Sequence, residues 1–177
     1  MNALVGIWRV ARGRVSGMAQ FGGSTQAFLA SLAPLLAFPI AGALLVLLEQ
    51  GLLPALDLLG VTLVAQLAPP VLSHVIAARW GRDSQWLHYA TAYNWCYWAV
   101  PAVAALLMMV LGSALRAGLD AEAAVEAFFF ALAAYTLWLH WFIARHGLQL
   151  GRWRAVLLVV LVNGGTLALA LGPRLLA

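Results

Sequence analysis

The sequence predicts an all-α polytopic membrane protein, a bundle of about five transmembrane helices. Of its 177 residues, 64% are hydrophobic and only 9% are charged, whereas soluble domains carry about 25% charged residues. The mean hydropathy is +0.93, so in water the chain would expose more apolar surface than it could hide. Because each span needs roughly 20 apolar residues, five spans use most of the chain and leave no room for a soluble catalytic domain.

Residues 1–22 form a basic, amphipathic N-terminal segment. Its apolar residues recur every three or four positions: Leu4, Trp8, Ala11, Val15 and Met18. This pattern predicts a helix lying in the membrane interface, with a disordered basic tail as the alternative. We expect no signal peptide here, because the apolar stretch that follows is too long for the core of one. Residues 23–177 are predicted to form a single transmembrane domain.

The first two spans are separated by a short loop. The first covers about residues 27–48, and Ser24 and Thr25 are its expected capping residues. A loop containing Pro54 follows. The second span covers about residues 58–78 and ends at an arginine-containing connection.

The remaining three spans complete the bundle. The third covers about residues 86–115, which is long enough to require a tilt or a bend at Pro101. The fourth covers about residues 127–144 and the fifth about residues 155–171, with Pro173 closing it.

Arginine supplies the whole positive charge of the chain and predicts its orientation. Eight of the ten basic residues fall on one side of the predicted spans: Arg9, Arg12, Arg14, Arg79, Arg82, Arg145, Arg152 and Arg154. The positive-inside rule places this side in the cytoplasm, which predicts an N-in, C-out topology. The Ala/Leu-rich, lysine-free composition is typical of a GC-rich bacterial genome, so the predicted location is the bacterial inner membrane.

Anionic lipid headgroups are the expected partners of the arginines that flank the spans. The candidates for this contact are Arg79, Arg82, Arg145, Arg152 and Arg154. A pI near 10 in a soluble protein would indicate nucleic acid, but here the basic residues adjoin membrane segments. The sequence therefore predicts a lipid-facing basic rim and no nucleic-acid partner.

Several residues near the middle of the spans are candidates for helix breaks or for the lining of a cavity: Gln66, Pro69, Pro70, Pro101, Gly164 and Gly165. Each proline removes one main-chain hydrogen bond, and broken helices at the midplane are typical of transporters. The alternative is a set of ordinary kinks whose freed carbonyls are satisfied by neighbouring helices.

A layer of polar residues is the sharpest indication of a site. It comprises His74, His88, Asn94, His140 and Asn163, which come from four different spans at similar depth near the arginine-rich side. Ionisable residues within a membrane are functional candidates by default. The interpretations are a shared ligand site, expected to open toward the cytoplasm, or interfacial and interhelical hydrogen bonding.

No catalytic residue, metal site or cofactor is predicted. The sequence has no zinc-protease, serine-hydrolase, P-loop or dinucleotide motif. No two histidines stand three or four residues apart, as a zinc site on one helix would require, and a bis-histidine haem has no supporting motif. These observations favour a non-enzymatic role and leave an enzymatic one open.

Two ridges of small residues predict close helix contacts. Ala33, Ala37 and Ala41 form one ridge in the first span, and Gly164, Ala168 and Gly172 form another in the fifth. Small residues at this spacing let backbones approach closely. We expect packing within the chain, with an oligomer or partner interface as the alternative.

The run Tyr89-Ala90-Thr91-Ala92-Tyr93-Asn94-Trp95 resembles a segment of uncharacterised small membrane proteins of alphaproteobacteria. The plan of five spans without an external domain is similar to that of Yip1-type membrane proteins, although the acidic and glycine-tyrosine motifs of eukaryotic Yip1 proteins are not evident. The resemblance implies a role in membrane organisation or as an accessory partner, and it implies no catalytic residue.

Three functional hypotheses follow. The first is a non-enzymatic inner-membrane scaffold or accessory subunit, forming a homo-oligomer or part of a larger complex. The second is a small-solute transporter or channel component that uses the irregular midplane. The third is an anchor subunit of a redox complex that holds a quinone or haem.

Overall fold

Helices make up nearly all of the described structure. The computed structural model of the chain describes the backbone of residues 2–175 and the side chains of residues 2–172. Within these limits there are seven α-helices and one short 3-10 segment, Val15–Gln20. The helices are α1 (Ala3–Val10), α2 (Thr25–Gln50), α3 (Leu52–Arg79), α4 (Asp83–Cys96), α5 (Ala99–Arg116), α6 (Ala121–Gly147) and α7 (Arg152–Leu175).

Five helical segments are long and apolar enough to cross a membrane. They are α2, α3, the α4–α5 pair taken together, α6, and α7 as far as Gly172. The predicted all-α, five-span fold is confirmed. The Ser24 hydroxyl caps α2 by accepting a hydrogen bond from the Ala27 amide at 3.2 Å, while Thr25 is the first residue of the helix.

The connections are shorter than the sequence indicated. The loop expected around Pro54 is reduced to Gly51, whose φ of 91° is accessible to glycine at little cost. Pro54 itself lies in the first turn of α3, where a missing amide donor costs nothing. At the other end of the bundle, α7 continues through Pro173, which was expected to close the fifth span.

The third span is interrupted one turn before Pro101. Residues 97–98 separate α4 from α5, and the Tyr97 carbonyl accepts from the Val100 amide at 3.1 Å. In a regular helix that carbonyl would accept from residue 101, but proline has no amide hydrogen to donate. The break therefore lies at the residue that Pro101 leaves without its normal partner.

The other predicted helix breaks are absent from the described helices. α3 continues through Pro69 and Pro70, and α7 continues through Gly164 and Gly165. Gly165 instead permits close packing: a Cβ at this position would lie 2.9 Å from Cδ1 of Leu72 on α3. These four residues were candidates for a helix break or for cavity lining, and the helices run through them without a break.

The core of the bundle lies toward the end that carries the N-terminal segment and the α3–α4 and α6–α7 connections, here called the arginine-rich end. α3 packs along α2 and α7, and α4 packs against α2, α3 and α6. Fully buried residues concentrate there, including Tyr89, Ala92 and Cys96 of α4. At the opposite end, α5 packs mainly on α6, and of its 18 residues, all described, only Ala99 is buried.

The N-terminal segment docks on the bundle instead of forming one continuous interfacial helix. It turns at Gly13, whose φ is 70°, and it buries Val10, Met18 and Phe21. The Tyr135 hydroxyl donates to the Ala11 carbonyl at 3.3 Å, which anchors the segment to α6. The expected single apolar face is thus divided: Met18 faces the bundle, while Leu4, Trp8 and Val15 are exposed.

Both ridges of small residues lie largely on the exterior of the bundle. Ala33, Ala37 and Ala41 are exposed on α2, and Gly164 and Ala168 are exposed on α7. Most of the surface of these residues is therefore open, and the expected packing within the chain stays a prediction.

Candidate functional site

Two polar clusters lie side by side in the middle of the bundle. The first, here called the His140 network, joins Tyr89, His140 and Asn163. The second surrounds Asn94 and borders a cleft between α2, α3 and α4. The Tyr93 side chain stands between them: its ring centre lies 4.7 Å from that of His140, and the residue also lines the cleft.

The His140 network connects three spans through one imidazole. Nε2 of His140 lies 2.8 Å from the Tyr89 hydroxyl on α4. Nδ1 lies 3.0 Å from Nδ2 of Asn163 on α7. His140 is only 3% exposed, so water cannot reach its ring nitrogens. The two hydrogen bonds to Tyr89 and Asn163 satisfy these nitrogens instead.

The geometry determines the tautomer of His140. Nδ2 of Asn163 also contacts the Val159 carbonyl oxygen at 2.7 Å, and because a carbonyl only accepts, this atom must be the amide nitrogen. Nδ1 of His140 therefore accepts from Asn163, and in the neutral imidazole Nε2 carries the hydrogen and donates to Tyr89. Both ring nitrogens are satisfied, and the network holds an uncharged histidine.

Asn94 is held by a residue that the sequence analysis did not single out. Its Nδ2 donates to Ser31 Oγ on α2 at 2.9 Å, and Ser31 in turn donates to the Phe28 carbonyl at 2.6 Å. Because the Ser31 hydrogen is already used, Ser31 can only accept from Asn94, which fixes the orientation of the amide. Asn94 Oδ1 is left buried without a partner in the described structure.

The cleft beside Asn94 has a volume of about 190 Å³. The residues that line it include Leu35, Thr62, Gln66, Pro69, Asn94 and Tyr97. Gln66 lies 13 residues before the end of α3, or about 20 Å along the helix axis, which corresponds to the middle of a bilayer. Like Asn94, Gln66 has a side-chain oxygen that is buried and unpaired.

The residues at the two ends of the cleft differ in exposure. Ser31 and Asn94 on the arginine-rich side are 0% and 1% exposed, whereas Tyr97 on the opposite side is 44% exposed. The expectation that a site would open toward the arginine-rich, cytoplasmic side stays a prediction.

Two predicted members of the polar layer stand apart from both clusters. Nε2 of His88 lies 2.9 Å from the Met18 carbonyl, so His88 ties α4 to the N-terminal segment. His74 is exposed on α3, and its ring packs edge-on against that of Trp86 at 4.6 Å. The predicted polar layer thus divides into separate parts. His140 and Asn163 are in contact, and Asn94 lies on the other side of Tyr93 from them. His88 contacts the N-terminal segment, and His74 is exposed beside Trp86.

Of the candidate cavity residues, Gln66 and Pro69 line the cleft, while Pro70 faces a different groove. Pro101 acts indirectly, because the break that it causes places Tyr97 at the edge of the cleft. Gly164 and Gly165 contribute no lining.

The candidate headgroup-binding arginines all lie at the arginine-rich end. Arg79, Arg152 and Arg154 are exposed, and Arg82 and Arg145 are half-buried. The Arg145 guanidinium lies over the Trp141 ring, 5.4 Å from its centre. Such a pair combines a cation with an amphipathic ring, as side chains at a membrane interface often do.

No group of three or more histidine, cysteine or acidic side chains in the described part of the chain could hold a metal ion. Comparisons of the chain with family models, with curated proteins and with solved structures found no match. The resemblance to Yip1-type proteins therefore stays a prediction.

Proposed function

We propose that this multi-pass membrane protein binds a small, uncharged polar solute at the middle of the bilayer, as a small-solute transporter or channel component. The observation that carries the proposal is the cleft beside Asn94. Unpaired polar atoms at this depth are costly, because hydrocarbon offers no hydrogen bonds. A bound solute that donates to these oxygens would remove that cost.

The chemistry of the lining favours an uncharged solute. Its polar groups are the amides of Gln66 and Asn94, the Thr62 hydroxyl and two tyrosines, with no charged side chain among the residues that line the cleft. A charge placed there would lack a counter-charge in a medium of low dielectric constant. Neutral molecules with several hydrogen-bond donors, such as small polyols or urea-like amides, fit this environment.

The topology and location belong to the same proposal. On the positive-inside rule, the arginine-rich end faces the cytoplasm of a bacterial inner membrane. In this orientation Tyr97 lies on the periplasmic side of Asn94, so a solute would enter past Tyr97 and be stopped at the buried pair of Ser31 and Asn94.

Solute flux into proteoliposomes tests this function. We expect purified protein to accelerate glycerol- or urea-driven swelling over that of empty liposomes, and Asn94→Leu to lower the protein-dependent rate about tenfold, because a lost hydrogen bond to a buried solute is worth about 1.4 kcal/mol. Ser113→Ala is the matched control, since Ser113 is exposed on α5 and bonds only to its own helix. Equal swelling with and without protein would contradict the proposal.

A second candidate function is the scaffold or accessory subunit, and the exposed ridge of Ala33, Ala37 and Ala41 favours it. Small residues that are exposed on the surface of a span are available to another helix. We propose that this ridge joins a second copy or a partner subunit. If it does, Ala37→Leu should shift the purified protein in mild detergent to a smaller assembly, while Leu45→Ala, at another exposed position of α2, should not. A monomer in both wild type and variant would rule this out.

A further inference from the structure

A lateral groove lies on a different face of α3 from the cleft. It has a volume of about 330 Å³, and the residues that line it include Phe28, Leu67, Pro70, Val71, His74 and Trp86. The adjacent prolines separate the two sites, since Pro69 lines the cleft and Pro70 lines the groove. Val71 is 61% exposed, so the groove is open to the surrounding lipid.

The groove changes in character along the membrane normal. His74 lies five residues before the end of α3, about 8 Å from the arginine-rich end, whereas Leu67 lies about 18 Å from it. The polar and aromatic residues, His74 and Trp86, therefore stand near the interface, and the aliphatic residues continue toward the midplane. This order matches an amphiphile with its head near the surface and its tail in the hydrocarbon.

His74 provides an unused hydrogen-bonding group at the head end. Its imidazole packs against Trp86 and has no hydrogen-bond partner among the residues that the structure describes. A neutral imidazole offers one donor and one acceptor. It can donate to a carbonyl oxygen or accept from a hydroxyl group, depending on which a ligand presents.

The aromatic rings around His74 favour a ligand whose polar end is a flat ring. Trp86 is held in place because its Nε1 donates to Ser73 Oγ at 3.2 Å, and its other ring neighbour is Phe28, with centres 5.1 Å apart. No arginine is among the residues that line the groove. A phosphate head would therefore lack a counter-charge there, whereas an uncharged aromatic or quinonoid ring would meet aromatic surfaces and one hydrogen-bonding group.

We infer that the lateral groove binds a membrane-soluble quinone or quinol, with the ring beside His74 and Trp86 and the apolar tail along Leu67 and Val71. The inference is independent of solute binding in the cleft. The groove positions the molecule and holds it by one hydrogen bond.

Photo-labelling of the protein in nanodiscs tests the groove. The probe is an azido-substituted short-tailed benzoquinone, and unlabelled decylubiquinone is the competitor. We expect labelling that is saturable, is removed by the competitor, and maps to peptides containing residues 28–32, 67–75 or 86. His74→Leu should weaken competition about tenfold, as expected for the loss of one buried hydrogen bond.

Two further variants separate a groove site from non-specific partition. Val71→Trp fills the groove from an exposed position and should abolish the saturable labelling without lowering the melting temperature. His146→Leu removes another histidine at the arginine-rich end, outside the groove, and should leave the labelling unchanged. Labelling that is not saturable, that maps elsewhere, or that is equal in His74→Leu and wild type would overturn the inference. A phospholipid whose retention in native mass spectrometry depends on His74, without quinone binding, would overturn it as well.

Discussion

Nδ1 of His140 and Nδ2 of Asn163 lie 3.0 Å apart and join α6 to α7 within the membrane. The same imidazole reaches Tyr89 on α4 through its other nitrogen. Three spans thus meet at one uncharged ring.

The first prediction concerns the strength of that contact. A double-mutant cycle of His140→Leu and Asn163→Leu should give a coupling free energy of about 0.6 kcal/mol, the average for hydrogen bonds between membrane helices, and no more than about 1.7 kcal/mol. Reversible unfolding in mixed micelles measures it. The pair Ser113→Ala and Asn163→Leu should show additive effects, because these residues are not in contact. A coupling free energy of zero between His140 and Asn163 would contradict the hydrogen bond between these two residues.

The second prediction separates a residue kept for function from one kept for stability. Asn94→Leu should change the unfolding free energy by less than about 1 kcal/mol, because the replacement also removes the unpaired Oδ1. His140→Leu should cost more, since it leaves Tyr89 and Asn163 without their partner. Melting temperatures of the two variants, measured in the same detergent, provide the comparison. A larger loss for Asn94→Leu would show that Asn94 is mainly structural.

The third prediction uses two adjacent glycines in α7. Gly165→Ala should be less stable than Gly164→Ala, because its new methyl group meets Cδ1 of Leu72 at 2.9 Å and forces that side chain to shift. At Gly164 an added Cβ would have no neighbour within 4 Å. Gly164→Ala should therefore be neutral, or stabilising by up to about 1 kcal/mol, because alanine has the higher helix propensity. Thermal unfolding distinguishes them, and equal effects would disprove the close α3–α7 approach.

The fourth prediction concerns the docked N-terminal segment. In Gly17→Ala the added Cβ would meet the Gly6 carbonyl oxygen at 2.9 Å and Arg9 Cβ at 2.8 Å, so residues 2–22 should loosen from the bundle. Amide hydrogen exchange of residues 15–20 should then accelerate, and limited proteolysis near Arg14 should increase. Gly23→Ala, whose nearest contact is 3.5 Å, serves as the control and should exchange as the wild type does.

The spans were predictable because hydropathy follows depth in the membrane. Long apolar runs between arginines and turn residues define five segments, and the helices match these segments to within three residues except at the starts of α3 and α6, which lie six residues earlier than predicted. The boundary errors have local causes. Pro54 was interpreted as a loop residue, yet it is tolerated in the first turn of α3. Pro173 was expected to close the fifth span, yet α7 continues through it.

The site was only partly predictable, because depth does not specify direction around the helix axis. His74 and His140 were placed in one layer, but His140 faces the core and His74 faces the lipid groove. Spans that are apolar on all sides carry little information about which face is buried. Ser31 was missed for the same reason: its importance depends on Asn94, which is 63 residues away.

The interruption at Tyr97 and Trp98 divides the third span into two parts that should evolve under different constraints. α4 is enclosed by α2, α3 and α6, so a change in side-chain volume at Ala90, Ala92 or Cys96 has no space to enter. α5 faces lipid along most of its length, and nearly any apolar residue would serve there. Among descendants of this sequence, α4 should therefore remain almost invariant, while α5 drifts in sequence and keeps its length and hydrophobicity.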